Sequence, residues 1–391
     1  MTAEPAVLPR VPSPADSTED HRGSPIPTMA MITSRFMELR RRRGLIAGLA
    51  LVTVGIPTVF LLVRLLLHAI APKTYGPAGG YDIYTGLTAG LLYVFGFVVA
   101  AALGCTAGSV DLTEGMFRHL VVTGRSRLAL YLARIPAGLA IIVPLVAIGF
   151  SVVCAVCVFA APSTVRFDGL HLPPNMSLSQ LETYAASNAQ QVVCDLPYNG
   201  PVDINTQCGG PNGPGPGGVV IKRGPGGAVS SSPAPSTVAP TSPAELRTLA
   251  IQLAQQNYAD YRTHFTVPSD SLMVKTGLWI ELEAVVGFMV GLGLGSLLGQ
   301  RTVGVVLMIV LEVILTPIFI RARIPHFINV QRGVVGIATA HLEPGSLPLA
   351  FGGGGGDFRV TETTTTAVLV ILAWLIGWTA IGAWRMVTRD A

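Results

Sequence analysis

Charged residues are scarce in this sequence: they fill 12% of its 391 positions, and only three of them are lysines. A soluble domain averages about 25%. Half of the chain is hydrophobic, so its polar residues cannot cover a globular surface, which excludes a free-standing soluble protein. No Gly-x-x-x-x-Gly-Lys-Ser/Thr sequence occurs, so the chain has no phosphate loop of that kind. The glycine-rich stretch around Gly209–Gly227 is no substitute, because prolines interrupt it and no Gly-Lys-Ser/Thr closes it. A Ser/His/Asp set, a zinc-ligand spacing and a glycosidase-type carboxylate pair are all missing. His119 and His341 stand alone and read as solvated or capping residues, so no catalytic function is expected. The net charge of +4 is small and scattered, which speaks against a nucleic-acid surface.

What is present in excess is apolar sequence in long runs. About 20 consecutive apolar residues cross a bilayer core, and six segments qualify: 45–70, 84–107, 128–161, 274–298, 302–320 and 364–384. The expected fold is therefore an all-α membrane protein of about six transmembrane helices. Residues 1–28 are polar and proline-rich, with no apolar core before Leu45, and read as a disordered tail rather than a signal peptide. Loops facing the cytosol are enriched in Lys and Arg. With the tail inside, the inner segments 29–44, 108–127, 299–301 and 385–391 carry 11 basic residues. The short outer loops 71–83 and 321–363 carry 5 over more positions. Arg40, Arg41, Arg42 and Arg43 weigh most, whereas Arg321 and Arg323 oppose the rule. Both termini are thus expected in the cytoplasm.

That orientation puts a large insertion, 162–272, outside the membrane, between a block of three spans (29–161) and a second block (273–391). It contains Cys194 and Cys208, which either form a disulfide closing a loop of about 15 residues, worth roughly 3 kcal/mol, or remain free thiols. Cys105, Cys154 and Cys157 fall within spans and read as small packing residues. A helix through the 180s is predicted to start at Ser177 or Ser179, with Gln180 or Glu182 three residues on. A second starts at Ser242-Pro243-Ala244-Glu245, and Leu246, Leu249, Leu253 and Ala254 carry its stripe to about Tyr261. Between them 209–243 is Gly, Pro, Ser, Thr, Val and Ala, a linker that cannot build a core.

Inside the spans, Glu312 lies about 15 Å along the fifth helix, close to the midplane. An ionisable group there costs at least about 2.5–3.5 kcal/mol without a partner or water. It either lines a route or is a carboxyl hydrogen-bonded between helices. Glu281 and Glu283 in the fourth span are two residues apart and so face different sides. Gly287, Gly291, Gly295 and Gly299 form an i, i+4 stripe that admits a close helix neighbour, in this chain or in a second copy. Pro57, Pro136, Pro144 and Pro317 are expected to kink their spans. Arg64 and His68 sit at the end of the first span, where long side chains snorkel.

The bridge between the second and third spans, 109–127, carries the most specific pattern. It holds an acidic residue (Asp111), then Glu114-Gly115-x-x-Arg118-x-Leu120, then Gly-Arg125-Ser126-Arg127, with Arg134 beyond. It can be read as an ordinary charged loop or as a short amphipathic helix that fits a partner's groove. The pattern resembles the inner loop of type-two ABC exporter permeases. The resemblance implies that Asp111, Glu114, Gly115, Arg118, Arg125 and Arg127 dock on a separate ATPase subunit, which would bind ATP and magnesium; no cofactor is expected in this chain. It also implies a basic amphipathic helix before the first span, matched by Met29 to Arg43, and a re-entrant segment between the last two spans, matched by 333–351. A homodimer or heterodimer of permeases would then enclose the route, in a bacterial plasma membrane given the Arg-, Ala- and Gly-rich composition. The 111-residue insertion departs from the family's compact form. Two other readings stand beside this one: a polytopic sensor or assembly protein whose insertion binds a ligand, and an ion-driven transporter using Glu312.

Overall fold

Six helices are long and apolar enough to cross a bilayer in the computed structural model, which describes residues 24–113, 126–196, 220–223, 229–232, 242–321, 324–344 and 362–388. They are Arg43–Ile70, Tyr81–Val110, Arg127–Phe159, Asp270–Leu298, Arg301–Ile320 and Thr364–Thr388, spans 1 to 6 below. The all-α, six-span expectation is borne out, and the chain is a multi-pass membrane protein. The tail 1–28 lies outside the described residues up to position 23. Two compact units divide the chain: Met1–Phe159 with Ser269–Ala391, and Ala160–Pro268.

In the first unit, spans 2 and 4 form the centre. Of their most apolar windows 67% and 72% are buried, against 17% to 33% in the other four spans. Glycine makes this pairing possible. Gly287, Gly291 and Gly295 lie against the backbone of Phe97, Ala101 and Cys105, and Gly104 and Gly108 of span 2 lie against Phe288, Leu292 and Ser296. A methyl group at any of the five would collide with a main-chain atom, so only glycine lets the two backbones touch. The stripe's partner is therefore a span of the same chain. Gly299 is not part of the contact; it is the left-handed cap (φ 68°) that ends span 4.

The expected proline kinks take a specific form in two spans. A π-helical turn, Leu51–Gly55, precedes Pro57, and another, Val310–Leu315, precedes Pro317. Proline cannot donate to the carbonyl one turn back, and in both spans the helix widens just before it. Thr316 Oγ1 donates to the Leu311 carbonyl at 3.0 Å. A third π turn, Gly86–Leu92, has no proline and widens span 2 near its start.

Before span 1 runs the entry helix Met29–Arg41, which buries Met31, Arg35 and Leu39 at i, i+4, i+8. Met31 packs on Ala129, Leu130 and Ala133 at the start of span 3. Between spans 5 and 6 lies a short interior helix, Val335–His341, with Val335 through Ala340 all buried. Of the segment 333–351, residues from 345 onward lie outside the described set.

The second unit has its own core. A hairpin, β1 (Val165–Phe167) and β2 (Leu170–Leu172), turns at Asp168 and Gly169, both at positive φ. Sequence reading assigned no strand here. Helices Leu178–Ser187 and Pro243–Tyr261 start where the capping pattern predicts, with reciprocal boxes at Ser177/Gln180 and Ser242/Glu245. Phe167, Leu172, Leu181, Val193 and Leu253 fill the interior, and the Tyr261 hydroxyl donates to the Pro173 carbonyl. Within 209–243, where no element was expected, β3 (Val220–Arg223) pairs antiparallel with β4 (Val229–Ser232).

Candidate functional site

Two groups of residues in the first unit carry the chemistry. One anchors the bridge between spans 2 and 3. Gly108, in the last turns of span 2, presents its carbonyl to span 3, where Arg134 Nη1 donates to it at 3.2 Å. Arg134 is 2% exposed, so this hydrogen bond to a cation is shielded from water and strengthened accordingly. The Ser296 hydroxyl of span 4 reaches the same carbonyl at 3.5 Å. At the other end of the bridge, Arg127 Nη1 donates to the Val387 carbonyl of span 6 at 3.1 Å. The entry helix closes the arrangement: Arg35, Glu38 and Leu39 share a small cleft with Ala107, Val110 and Arg134. Arg35 and Glu38 form an ion pair of 2.6 Å one turn apart. Both ends of the bridge are thus tied to spans 3, 4 and 6 and flanked by the entry helix.

Of the residues expected to dock a partner, Asp111 lies in the last turn of the helix Tyr93–Thr113 and Arg127 opens span 3. Glu114, Gly115, Arg118 and Arg125 lie outside the described residues. Arg134 was legible as part of the motif, but its role as a clamp was not, because its partner is a main-chain carbonyl.

The other group surrounds the interior helix. Three span side chains donate to carbonyls of this short helix and of the turn before it, one of them in its last turn, where intrahelical donors run out. Trp279 Nε1 donates to the Thr339 carbonyl at 2.7 Å, and the Tyr93 hydroxyl donates to the Gly336 carbonyl at 3.2 Å. Trp374 Nε1 donates to the Gly333 carbonyl just upstream at 2.8 Å. Tyr93 and Trp279 stack with ring centroids 4.4 Å apart. Gly336 faces span 5 so closely that a methyl there would lie 2.6 Å from Glu312 Oε2.

Glu312 and Glu283 are 2% and 1% exposed. Thr316 Oγ1 donates to Glu312 Oε2 at 3.4 Å, a long bond. Neither Glu283 oxygen accepts a hydrogen bond of proper geometry, and the same holds for both oxygens of half-buried Glu281. Glu283 and Glu312 act electrostatically on each other and on the Tyr93 hydroxyl, and the Thr339 hydroxyl also acts on Glu283. Among the described residues no basic side chain pairs with either carboxylate. Two of the three expected intramembrane candidates, one from span 4 and one from span 5, are therefore within electrostatic reach of each other, whereas no such effect links Glu281 to them. Tyr93, Trp279, Thr316, Gly336 and Thr339 were not singled out from the sequence. The Glu312/Thr316 spacing of four was a signal for Thr316 alone. A shielded carboxyl beside a hydroxyl, as at Glu312 and Thr316, can hold a proton. No cluster of three His, Cys, Asp or Glu suits a metal ion among the described residues.

In the second unit, Cys194 ends the helix Ala189–Asp195 and is disulfide-bonded; Cys208 lies outside the described residues. Cys105, Cys154 and Cys157 are free. At the end of span 1, Arg64 Nη2 donates to the Pro77 carbonyl at 2.6 Å, and a ring nitrogen of His68 lies 2.7 Å from the Gly76 carbonyl.

No family model, curated protein or solved structure matches this chain.

Proposed function

We propose that this chain is the membrane subunit of an ABC exporter in a bacterial plasma membrane, with both termini and the bridge 109–127 in the cytosol. The observation that supports the reading is the double anchorage of that bridge. A pull on 109–127 is delivered through Arg134 and Gly108 to spans 2, 3 and 4, and through Arg127 and Val387 to span 6. A loop that served only to connect two helices would need no such ties. The entry helix beside the bridge, the buried helix between spans 5 and 6 and the bridge motif follow the order that the resemblance implies. In this reading a separate ATPase subunit binds ATP and magnesium, and its closure draws on the bridge. Two copies, or one copy and a relative, rock the spans from inward to outward access. The test is gentle purification of the full chain, followed by assay of the co-purifying ATPase with the bridge intact or altered at Arg118 and Arg125. An ATPase that copurifies with the intact bridge and is lost with R118E/R125E is the expected result. A cysteine placed at Ser126 that is labelled only from the cell exterior overturns the reading.

A second reading rests on Glu283 and Glu312. Their burial without a basic partner suits an ion-driven transporter, in which the pair takes up and releases a cation during each cycle. Unchanged transport by the Glu312→Gln variant removes that reading; transport by the purified chain without nucleotide favours it.

A further inference from the structure

Spans 1 and 2 part near the loop that joins them, leaving an open-sided groove of about 540 Å³. Its walls are apolar: Ile56 and Phe60 on span 1, Leu87 and Leu91 on span 2. Ile56 and Phe60 are 44% and 46% exposed, and neighbouring Val59, Leu62, Val63 and Leu66 also face outward. In a membrane-spanning helix such a surface faces hydrocarbon, so the medium that fills the groove is lipid. Both walls carry π turns. Gly86–Leu92 forms part of the lining, and Leu51–Gly55 directly precedes Ile56; turns of this kind recur at functional sites.

Two charges sit among these apolar residues, Arg64 from span 1 and Asp82 from span 2. They line the same groove without forming an ion pair with each other. Arg64 spends one Nη donor on the Pro77 carbonyl, while its Nε–H is shielded and meets no acceptor. From Ile56 to Arg64 the helix rises about 12 Å, so an apolar strip leads away from a cation and an anion that share the groove.

We infer that this groove binds a phospholipid with a primary-amine headgroup, of the phosphatidylethanolamine type. The guanidinium of Arg64 takes the phosphate, for which arginine is the better-suited cation. The carboxylate of Asp82 takes the ammonium, and one acyl chain lies between Phe60 and Leu87. The charge pattern selects among lipids. An anionic glycerol headgroup places nothing positive on Asp82, and a choline headgroup cannot donate a hydrogen bond to it. The inference does not depend on which motor, if any, drives the protein.

Gly86 supplies a clean test. It is exposed on the groove, and a Cβ placed there meets nothing within 4 Å, so Gly86→Phe sets a ring into the groove from a position with room for its first atom. Gly377 on span 6 is equally unobstructed and serves as the control, Gly377→Phe. The full chain is reconstituted in nanodiscs of mixed phosphatidylethanolamine, phosphatidylcholine and phosphatidylglycerol, extracted into mild detergent, and its retained lipid measured by native mass spectrometry. The expected result is about one phosphatidylethanolamine per chain, at least fivefold enriched over either other lipid. That enrichment should fall to bulk composition in Gly86→Phe and drop at least threefold in Arg64→Gln and in Asp82→Asn, while Gly377→Phe behaves as wild type. Equal retention by Gly86→Phe and wild type, with unchanged circular-dichroism melting, overturns the assignment. Preference for phosphatidylglycerol, insensitive to Asp82→Asn, overturns the headgroup.

Discussion

Arg134 and Gly108 are joined across the two ends of the bridge: a buried guanidinium from span 3 donates to a span 2 carbonyl at 3.2 Å, beside the Ser296 hydroxyl of span 4. Charge is rare in this chain, and placing one cation almost wholly out of water on a main-chain oxygen holds three spans to a common point.

Removing that cation should be costly. Arg134→Met leaves the Gly108 carbonyl with its helical partner and the long contact from Ser296, and the loss should be roughly 1.5–3 kcal/mol, the value of a hydrogen bond to a charged group. Thermal unfolding in detergent measures it. If the bridge is the coupling element, Arg134→Lys should recover stability in part while ATPase activity in the assembled complex stays uncoupled from transport.

The contact between spans 2 and 4 tolerates no side chain. Gly291→Val drives a branched group into the Ala101 backbone, and overpacking of this kind costs about 1–3 kcal/mol or more. Gly377→Val, where a side chain meets nothing within 4 Å, should change the melting temperature little by comparison.

Glu283 brings no hydrogen bond of its own to the interior. Glu283→Gln should therefore leave stability unchanged or raise it, by up to about 3 kcal/mol. Tyr93→Phe removes one donor to the Gly336 carbonyl, which keeps the Thr339 hydroxyl, and should cost about 0.5–1.5 kcal/mol. A large loss in Glu283→Gln, matched by loss of cation-dependent transport, would give the carboxylate a direct functional role.

Outside the spans, burial pushes the Glu343 carboxyl up to about 8, and burial raises Glu362 as well, with Arg332 opposing. In the unfolded chain a glutamate releases its proton near pH 4.3 or so. The folded state thus holds the proton more tightly, and the associated stability is fully present below that pH and lost as pH rises through about 8. Melting temperatures should fall between pH 5 and pH 8.5, and Glu343→Gln should flatten the fall. A steeper fall in the variant would contradict the assignment.

Much of the architecture was legible because the bilayer imposes it. Six apolar runs became six spans, with ends shifted by a few residues as helices extended into their flanks. The serine caps at Ser177 and Ser242 were legible because a box is a local event, settled within four residues. The hairpin at 165–172 was missed because three-residue strands carry too little alternation to register. In the candidate site, Glu312 stood out alone as an ionisable group at mid-span. Tyr93 and Thr339 did not, since they lie 246 residues apart and neither is unusual in its own neighbourhood.

By itself the sequence determined where the chain crosses the membrane, where a soluble-type insertion interrupts it, and that a charged bridge follows span 2. Hydrophobicity, helix rise and capping are properties of single segments, and they needed nothing else. Only the tertiary structure decided which faces meet. Lipid and protein interior are equally apolar, so a span shows no polar side to mark its outward face. That is why the glycine stripe announced a close neighbour without naming span 2. It is also why the carboxylates of spans 4 and 5 came within electrostatic reach of each other only once the helices were packed.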